Sequence, residues 1–183
     1  MLEVLIAGFG GQGIMSLGQL LTYAGMAENK KVSWMPSYGP EQRGGAANCS
    51  VVLAEGEDIG SPIVSEPDAA IIMNAPSLDT FEPAVRSGGV LIVNSSLSGR
   101  AATRTDVTVL EIPATDLANE MGNARIAGMI TLGALVELTG IVSLDSLVKS
   151  LPKVLKPELV PLNVEALGRG QNLAKEKVPA KAR

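Results

Sequence analysis

The 183-residue chain has no histidine and a single cysteine, Cys49. No internal disulfide can form, which excludes a disulfide-stapled secreted scaffold. Without histidine there is no Cys–His nucleophilic pair within this polypeptide, no imidazole acid–base chemistry and little basis for a zinc site. An iron–sulfur cluster takes about four cysteines, so neither a cluster nor any other bound metal is expected in this chain. A lone cysteine in a strand reads as a small buried hydrophobe. Aromatic residues make up only 3% of the chain, so the core has to be aliphatic. An excess of positive charge is also missing: 15 Lys and Arg stand against 19 Asp and Glu, a net charge of −4. Nucleic-acid binding calls for a basic face interleaved with aromatics, and neither is visible. The longest apolar stretch, residues 126–138, is broken by glycines, threonine and Glu137 and falls short of a bilayer span. The start has no basic segment ahead of its short apolar run. A cytoplasmic protein with neither nucleic acid nor membrane as partner is expected.

What the chain does have is alternation of short apolar runs with helical spacing. Residues 3–7 form an apolar run ending in glycines, a buried-strand signal. Ile14, Leu17, Leu20, Leu21 and Ala24 then recur at helical spacing, and residues 31–35 read as a second strand closed by Pro36. This β-α-β order predicts a parallel pair joined by a right-handed crossover. Further strands are expected over 46–54, 69–73, 90–93 and 107–112, with a short helix over 77–87. After Pro113 the chain turns helical: 115–121, 123–139, 143–151 and from about 157 to 175. Ser143 is a good N-cap, with Val142 and Leu147 placed for a hydrophobic staple. The fold class is therefore α/β: a Rossmann-like, doubly wound, mostly parallel sheet with helices on both faces and a helical C-terminal part. One domain over residues 1–175 and a basic tail over 176–183 are expected. The helix over 123–139 is apolar around most of its circumference, so it lies in the core or marks a contact face; self-association of the isolated chain is one expectation.

Two loops carry the chemical interest. Gly8-Phe9-Gly10-Gly11-Gln12-Gly13 contains G-x-G-x-x-G directly after a strand and opening a helix. In that context glycines let the backbone approach a ligand, and the helix N-terminus offers free N–H groups to an anion. A dinucleotide site needs an acid at the end of the second strand to hold the ribose; Pro36 and Ser37 stand there instead, which argues against classical NAD or FAD binding. The alternative is that the glycines only permit close strand–helix packing.

The second loop, Pro36-Ser37-Tyr38-Gly39-Pro40-Glu41-Gln42-Arg43-Gly44-Gly45, leaves the same carboxyl edge, where open α/β sheets bind ligands. Arg43 has a fork suited to carboxylate or phosphate, although Glu41 beside it also fits a plain surface ion pair. Gly8, Gly10, Gly11, Gln12, Gly13, Tyr38, Gly39, Glu41, Arg43, Gly44 and Gly45 are the candidate binding residues. Asn74, Ser77, Asn94 and Ser95, polar tips on later strands, are of second rank, and Ser77 is equally well explained as a helix N-cap. No catalytic residue is assigned.

The stretches Gly8-Phe9-Gly10-Gly11-Gln12-Gly13-Ile14 and Pro36 to Gly45, with Ser61-Pro62, Asn94-Ser95-Ser96, Ile112-Pro113-Ala114-Thr115 and Gly122-Asn123-Ala124-Arg125, resemble the gamma subunit of 2-oxoacid:ferredoxin oxidoreductases. The likeness runs to about Leu151, and the Tyr38–Gly45 stretch is its most specific part. It implies an enzyme that converts a 2-oxoacid and coenzyme A to acyl-CoA and carbon dioxide while reducing ferredoxin. Thiamine diphosphate and magnesium would sit in alpha and beta subunits, and iron–sulfur clusters in beta or a small delta subunit. The gamma chain would bind no cofactor alone, help form the coenzyme A side of the site, and be inactive in isolation. A 2-oxoglutarate or branched-chain 2-oxoacid enzyme is implied. A stand-alone nucleotide-binding oxidoreductase and a purely structural assembly subunit stay open as alternatives.

Overall fold

The computed structural model describes residues 1–39 and 45–178. A six-stranded sheet forms the centre. Its strands are β1 (Leu2–Phe9), β2 (Lys31–Tyr38), β3 (Ala46–Ala54), β4 (Ala69–Ile72), β5 (Val90–Asn94) and β6 (Thr108–Ile112), in the spatial order β2-β3-β1-β4-β5-β6. The helices are α1 (Ile14–Ala27), α2 (Ala75–Phe81), α3 (Ala114–Glu120), α4 (Ala127–Thr139), α5 (Leu144–Val154) and α6 (Val160–Lys177). Alternation along β1 divides the core. Val4 and Ile6 face a large cluster shared with α1, α4, α5 and α6. Leu5 and Ala7 face a smaller cluster with Leu78 of α2 and Val85. Helices thus lie on both faces of a sheet in which five of six strands run the same way.

The exception corrects the expected β-α-β pair. β1 and β2 run in the same direction but do not touch: β3 lies between them, antiparallel to both, with Phe9 opposite Ala46 and Tyr38 opposite Ala47. Burial explains the order. β3 is buried from Cys49 to Ala54, whereas β2 is nowhere fully buried. The strand that buries both faces takes the inner place, and the half-polar one takes the edge. Pro36 does not end β2, as its missing N–H suggested; the strand passes through it, pairing Pro36 with Cys49. Proline is tolerated because β2 is an edge strand.

α4 is buried from Ala127 to Val136 against the sheet, α1, α3 and α6. It is a central core helix, and it offers no free apolar face for self-association. Its crossing with α6 is backbone on backbone: a Cβ on Gly133 would land on the Leu167 carbonyl, and one on Gly170 would land on the Ile130 carbonyl. Ser143 caps α5 as its composition requires, its Oγ accepting from Ser146 N at 3.1 Å, with Val142 and Leu147 both buried beside it. α2 begins two residues earlier than the spacing suggested. Its N-cap is Asn74, whose Oδ1 accepts from Ser77 N at 2.9 Å; Ser77 is the capped residue, not the cap. α6 continues to Lys177, whose Nζ donates to the Glu111 carbonyl at 3.1 Å, so residues 176 and 177 of the stretch read as tail are helical. Among the described residues no helix is long and apolar enough to cross a membrane.

Candidate functional site

The carboxyl ends of β1, β4 and β5 meet at the point where the chain winds outward in both directions, to α1 and β2 on one side and to α2 and β5 on the other. Crevices at such reversals are the binding places of open α/β sheets. The glycine loop fills one wall. Gly11 and Gly13 have φ of +101° and +78°, a conformation that L side chains avoid, so these positions require glycine. Gly8 is needed for space: a Cβ there would come within 2.9 Å of Ile14 Cδ1 and of Met73 Cβ, and would press on the Gln12 side chain. Gln12 closes the loop. Its Oε1 accepts from Phe9 N at 2.7 Å, and its Nε2 donates to the Met73 carbonyl at 3.2 Å, tying the end of β1 to that of β4. The Gln12 amide is therefore committed to the protein, a role its place among the candidate binding residues did not anticipate. α1 starts on Gly13 with no side-chain cap and no acid in its first turn.

The second loop begins beside the first. Gly10 N donates to the Gly45 carbonyl at 2.9 Å, and Gly39 N donates to the Ala46 carbonyl at 2.7 Å. Tyr38 is 69% exposed and Phe9 38%, both on this edge. Glu41, Arg43 and Gly44 lie outside the described residues. The second-rank residues sit at the neighbouring strand ends. Asn94 is fully buried and bonds across them, its Nδ2 donating to Thr115 Oγ1 at 2.9 Å and its Oδ1 accepting from Thr115 N at 3.3 Å. Ser95 N pairs with the Ile112 carbonyl at 2.8 Å. Asn74 caps α2, and its Nδ2 is buried without a partner. These residues organise the edge; Ser77, 7% exposed within α2, is not at its surface.

Two cavities flank the glycine loop. One, of about 230 Å³, lies over the strand ends among Gly11, Gln12, Met73, Leu97 and Thr115. The other, of about 180 Å³, lies between the start of α1 and the turn of 3₁₀ helix at residues 124–126 that leads into α4, among Gly13, Ser16, Asn123 and Asn163. Both include Gln12 and Arg125. Arg125 was not singled out as a site residue. The signal was present: a cation just before a long apolar helix opposes the positive end of that helix, and such a placement calls for an anion.

Cys49 lies beneath the loop, its Sγ 3.5 Å from the Ile14 carbonyl. Burial pushes its thiol up to about 11, outweighing contacts with Trp34 and Gly18. It is a core residue, not a nucleophile. The described residues hold no cluster of His, Cys, Asp or Glu able to bind a metal. Nor does the edge suit a dinucleotide: with β3 inserted, the end of β2 is two strand spacings, roughly 10 Å, from β1, and no acid stands there among the described residues.

Fold and site define a doubly wound α/β domain with a glycine-walled crevice and, among the described residues, no metal-binding cluster. The chain belongs to the pyruvate ferredoxin/flavodoxin oxidoreductase family, whose model matches residues 3–173. It is 36% identical to the 2-oxoglutarate synthase subunit KorC of Methanocaldococcus jannaschii, over 95% of this chain and 94% of that one. It is 38% identical to the ketoisovalerate oxidoreductase subunit VorA of Methanothermobacter thermautotrophicus, over 96% of this chain. The chain spans about a third of that relative's length (37%). Among solved structures, the gamma subunit of a keto/oxoacid ferredoxin oxidoreductase from Geobacter sulfurreducens superposes with a TM-score of 0.84 at 28% identity, covering 96% of this chain and 99% of its own. The 2-oxoglutarate:ferredoxin oxidoreductase of Magnetococcus marinus, with 2-oxoglutarate, coenzyme A and succinyl-CoA bound, matches with a TM-score of 0.86 at 25% identity; 98% of this chain and 32% of that one are covered.

Proposed function

We propose that this chain is the gamma subunit of a 2-oxoacid:ferredoxin oxidoreductase and that its glycine edge forms part of the coenzyme A side of the active site. The reaction joins a 2-oxoacid and coenzyme A into acyl-CoA and carbon dioxide, with the electrons passing to ferredoxin. The observation that carries the reading is the crevice beside the glycine loop: among the described residues it has the uncapped start of α1, an arginine and no acid in its walls, and no metal-binding cluster beside it. A surface built to hold a substrate but not to transform it suits a subunit that completes a site made mostly elsewhere. Alpha, beta and delta partners supply thiamine diphosphate, magnesium and iron–sulfur clusters, and the complex works in the cytoplasm.

The substrate is 2-oxoglutarate or a branched-chain 2-oxoacid. Relatives named for both support this, and the choice rests with the subunits that hold thiamine diphosphate. In relatives such as VorA the counterpart of this chain is a segment of a much longer polypeptide, which favours a permanent contact with its neighbour. The test is reconstitution. The purified chain alone should oxidise no 2-oxoacid and show no cluster absorption; with its partners it should restore CoA-dependent activity. Arg43→Ala should raise the coenzyme A requirement about ten- to a hundred-fold, the worth of one charge-assisted contact. Dye reduction by the isolated chain would overturn the subunit reading. Full activity of a complex lacking the chain would overturn its part in the site.

A further inference from the structure

The two cavities beside the glycine loop differ in character and share one cation. The cavity over the strand ends is walled largely by apolar groups, Met73, Leu97, Ala124 and Ala127 among them. The cleft beside α1 is the more polar, with Ser16, Asn123 and Asn163. Arg125 and Gln12 stand on the partition between the two. Gln12 is committed to the loop. Arg125 is exposed, and its guanidinium has no ion pair or hydrogen bond among the described residues; only its backbone N–H is engaged, donating to Asn123 Oδ1 at 3.0 Å. The contrast with the other arginines near strand ends and loops is informative. Arg86, Arg100 and Arg104 are each paired with carboxylates. Among the described residues neither cavity wall around Arg125 contains an acid, in a chain with a net charge of −4. The first turns of α1 and α4 also lack acids, so two positive helix ends and an unpaired guanidinium converge with no counter-charge among the described residues.

We propose that Arg125 is the phosphate-pairing residue of this subunit, holding the anionic part of a ligand in the cleft beside Gly13, Ser16 and Asn123 while an uncharged arm of the same ligand lies in the adjoining cavity at the strand ends. The inference rests on the coenzyme A reading above and refines it: it names the cation, the side of the glycine loop on which the phosphates bind, and the side left to the narrow arm. Arginine suits the role because its planar fork engages two phosphate oxygens at once.

The test is an NMR titration of the full ¹⁵N-labelled chain with pyrophosphate, at constant ionic strength, followed by coenzyme A. Pyrophosphate should produce saturable shifts at the Gly13, Ser16 and Asn123 amides and at Arg125 Nε. Arg125→Gln should weaken this binding about ten- to a hundred-fold, and Arg125→Lys less. Arg169→Gln removes an exposed arginine from the separate cleft between α3 and α6 and should change nothing. Absence of saturable shifts with pyrophosphate, or equal binding by Arg125→Gln, overturns the assignment. If pyrophosphate binds through Arg125 but coenzyme A does not bind, the site stands and the coenzyme A reading falls. If coenzyme A binds wild type and Arg125→Gln alike, that reading stands and the role of Arg125 falls.

Discussion

Replacing Gly8 by alanine tests whether the glycine loop is held by packing or left open for a ligand. One added methyl group would meet Ile14 Cδ1 and Met73 Cβ at 2.9 Å and would displace the Gln12 side chain. Displacement costs two hydrogen bonds, from Phe9 N to Gln12 Oε1 and from Gln12 Nε2 to the Met73 carbonyl. At about 1 kcal/mol each, their loss amounts to about 2 kcal/mol. Forcing a methyl against a buried isoleucine and the β4 end adds about 1–3 kcal/mol. Gly8→Ala should therefore destabilise the chain by about 3–5 kcal/mol. Gln12→Ala alone should cost about 2 kcal/mol, and the double variant should cost less than the sum, since the amide that blocks the new methyl is gone. Urea unfolding of the two single variants and the double variant, at unchanged m-value, measures each figure. A cost below about 0.5 kcal/mol for Gly8→Ala, or strict additivity with Gln12→Ala, would refute the packing role of Gly8 and leave ligand approach as the reason for glycine there.

Three further outcomes follow from the same geometry. Gly133→Ala and Gly170→Ala should each destabilise by about 1–3 kcal/mol or more, because the new methyl meets backbone of the opposite helix; thermal melts showing the gain of up to about 1 kcal/mol that alanine normally brings to a helix would contradict the close crossing. Glu82, 2% exposed, accepts from Arg100 Nη1 at 2.7 Å, from Thr103 Oγ1 at 3.1 Å and from the backbone of Thr103 and Arg104. Burial opposes its ionised form, but these donors prevail and hold its carboxyl below the usual value of 4.5. A depressed folded pKa gives stability that is present above pH 4.5 and lost as pH falls through the folded value, so Glu82→Gln should lose about 1.5–3 kcal/mol at pH 7 and progressively less below pH 4.5, as read by denaturation at several pH values; a pH-independent difference would argue against it. Cys49, with its thiol pushed up to about 11, should react with a thiol reagent only after unfolding, and labelling of the native chain at the rate of a free thiol would show that the loop above it opens.

The elements were legible because their signals are local. The apolar run of β3 was bounded correctly at both ends, Ala46 and Ala54, and Ser143 announced α5 by its own side chain. The order of the strands was not. Whether β2 or β3 lies next to β1 depends on which buries more surface, a comparison between segments that periodicity within either one does not make. Pro36 misled for a related reason: a missing N–H ends a central strand but not an edge strand, and the edge is known only once the order is known. Asn74 and Ser77 are both good caps by composition; the choice fell to Asn74, whose extended backbone lets its side chain reach Ser77 N.

The site divided along the same line. The glycines were readable because motif and context lie within one stretch of chain, and the structure separates their duties: Gly11 and Gly13 for backbone conformation, Gly8 for space. Arg125 was harder to see: its place just before a long apolar helix hints at an anion, but nothing within a few residues shows what that helix end faces. It acquires meaning only when α4 packs beside α1 and brings its N-terminal turn to the glycine loop, a contact between residues more than a hundred positions apart. The packing that creates it is the glycine-on-backbone crossing of α4 and α6, together with Gly128, where a Cβ would meet Leu17 of α1 at 2.8 Å. The helices that hold Arg125 at the cleft therefore approach through residues chosen for absence of side chain. A substitution such as Gly128→Ala, on the cleft wall but adding only a methyl group pressed against Leu17, should move the α4 turn away from α1 and weaken anion binding as well as the fold, whereas Arg125→Gln should weaken anion binding alone.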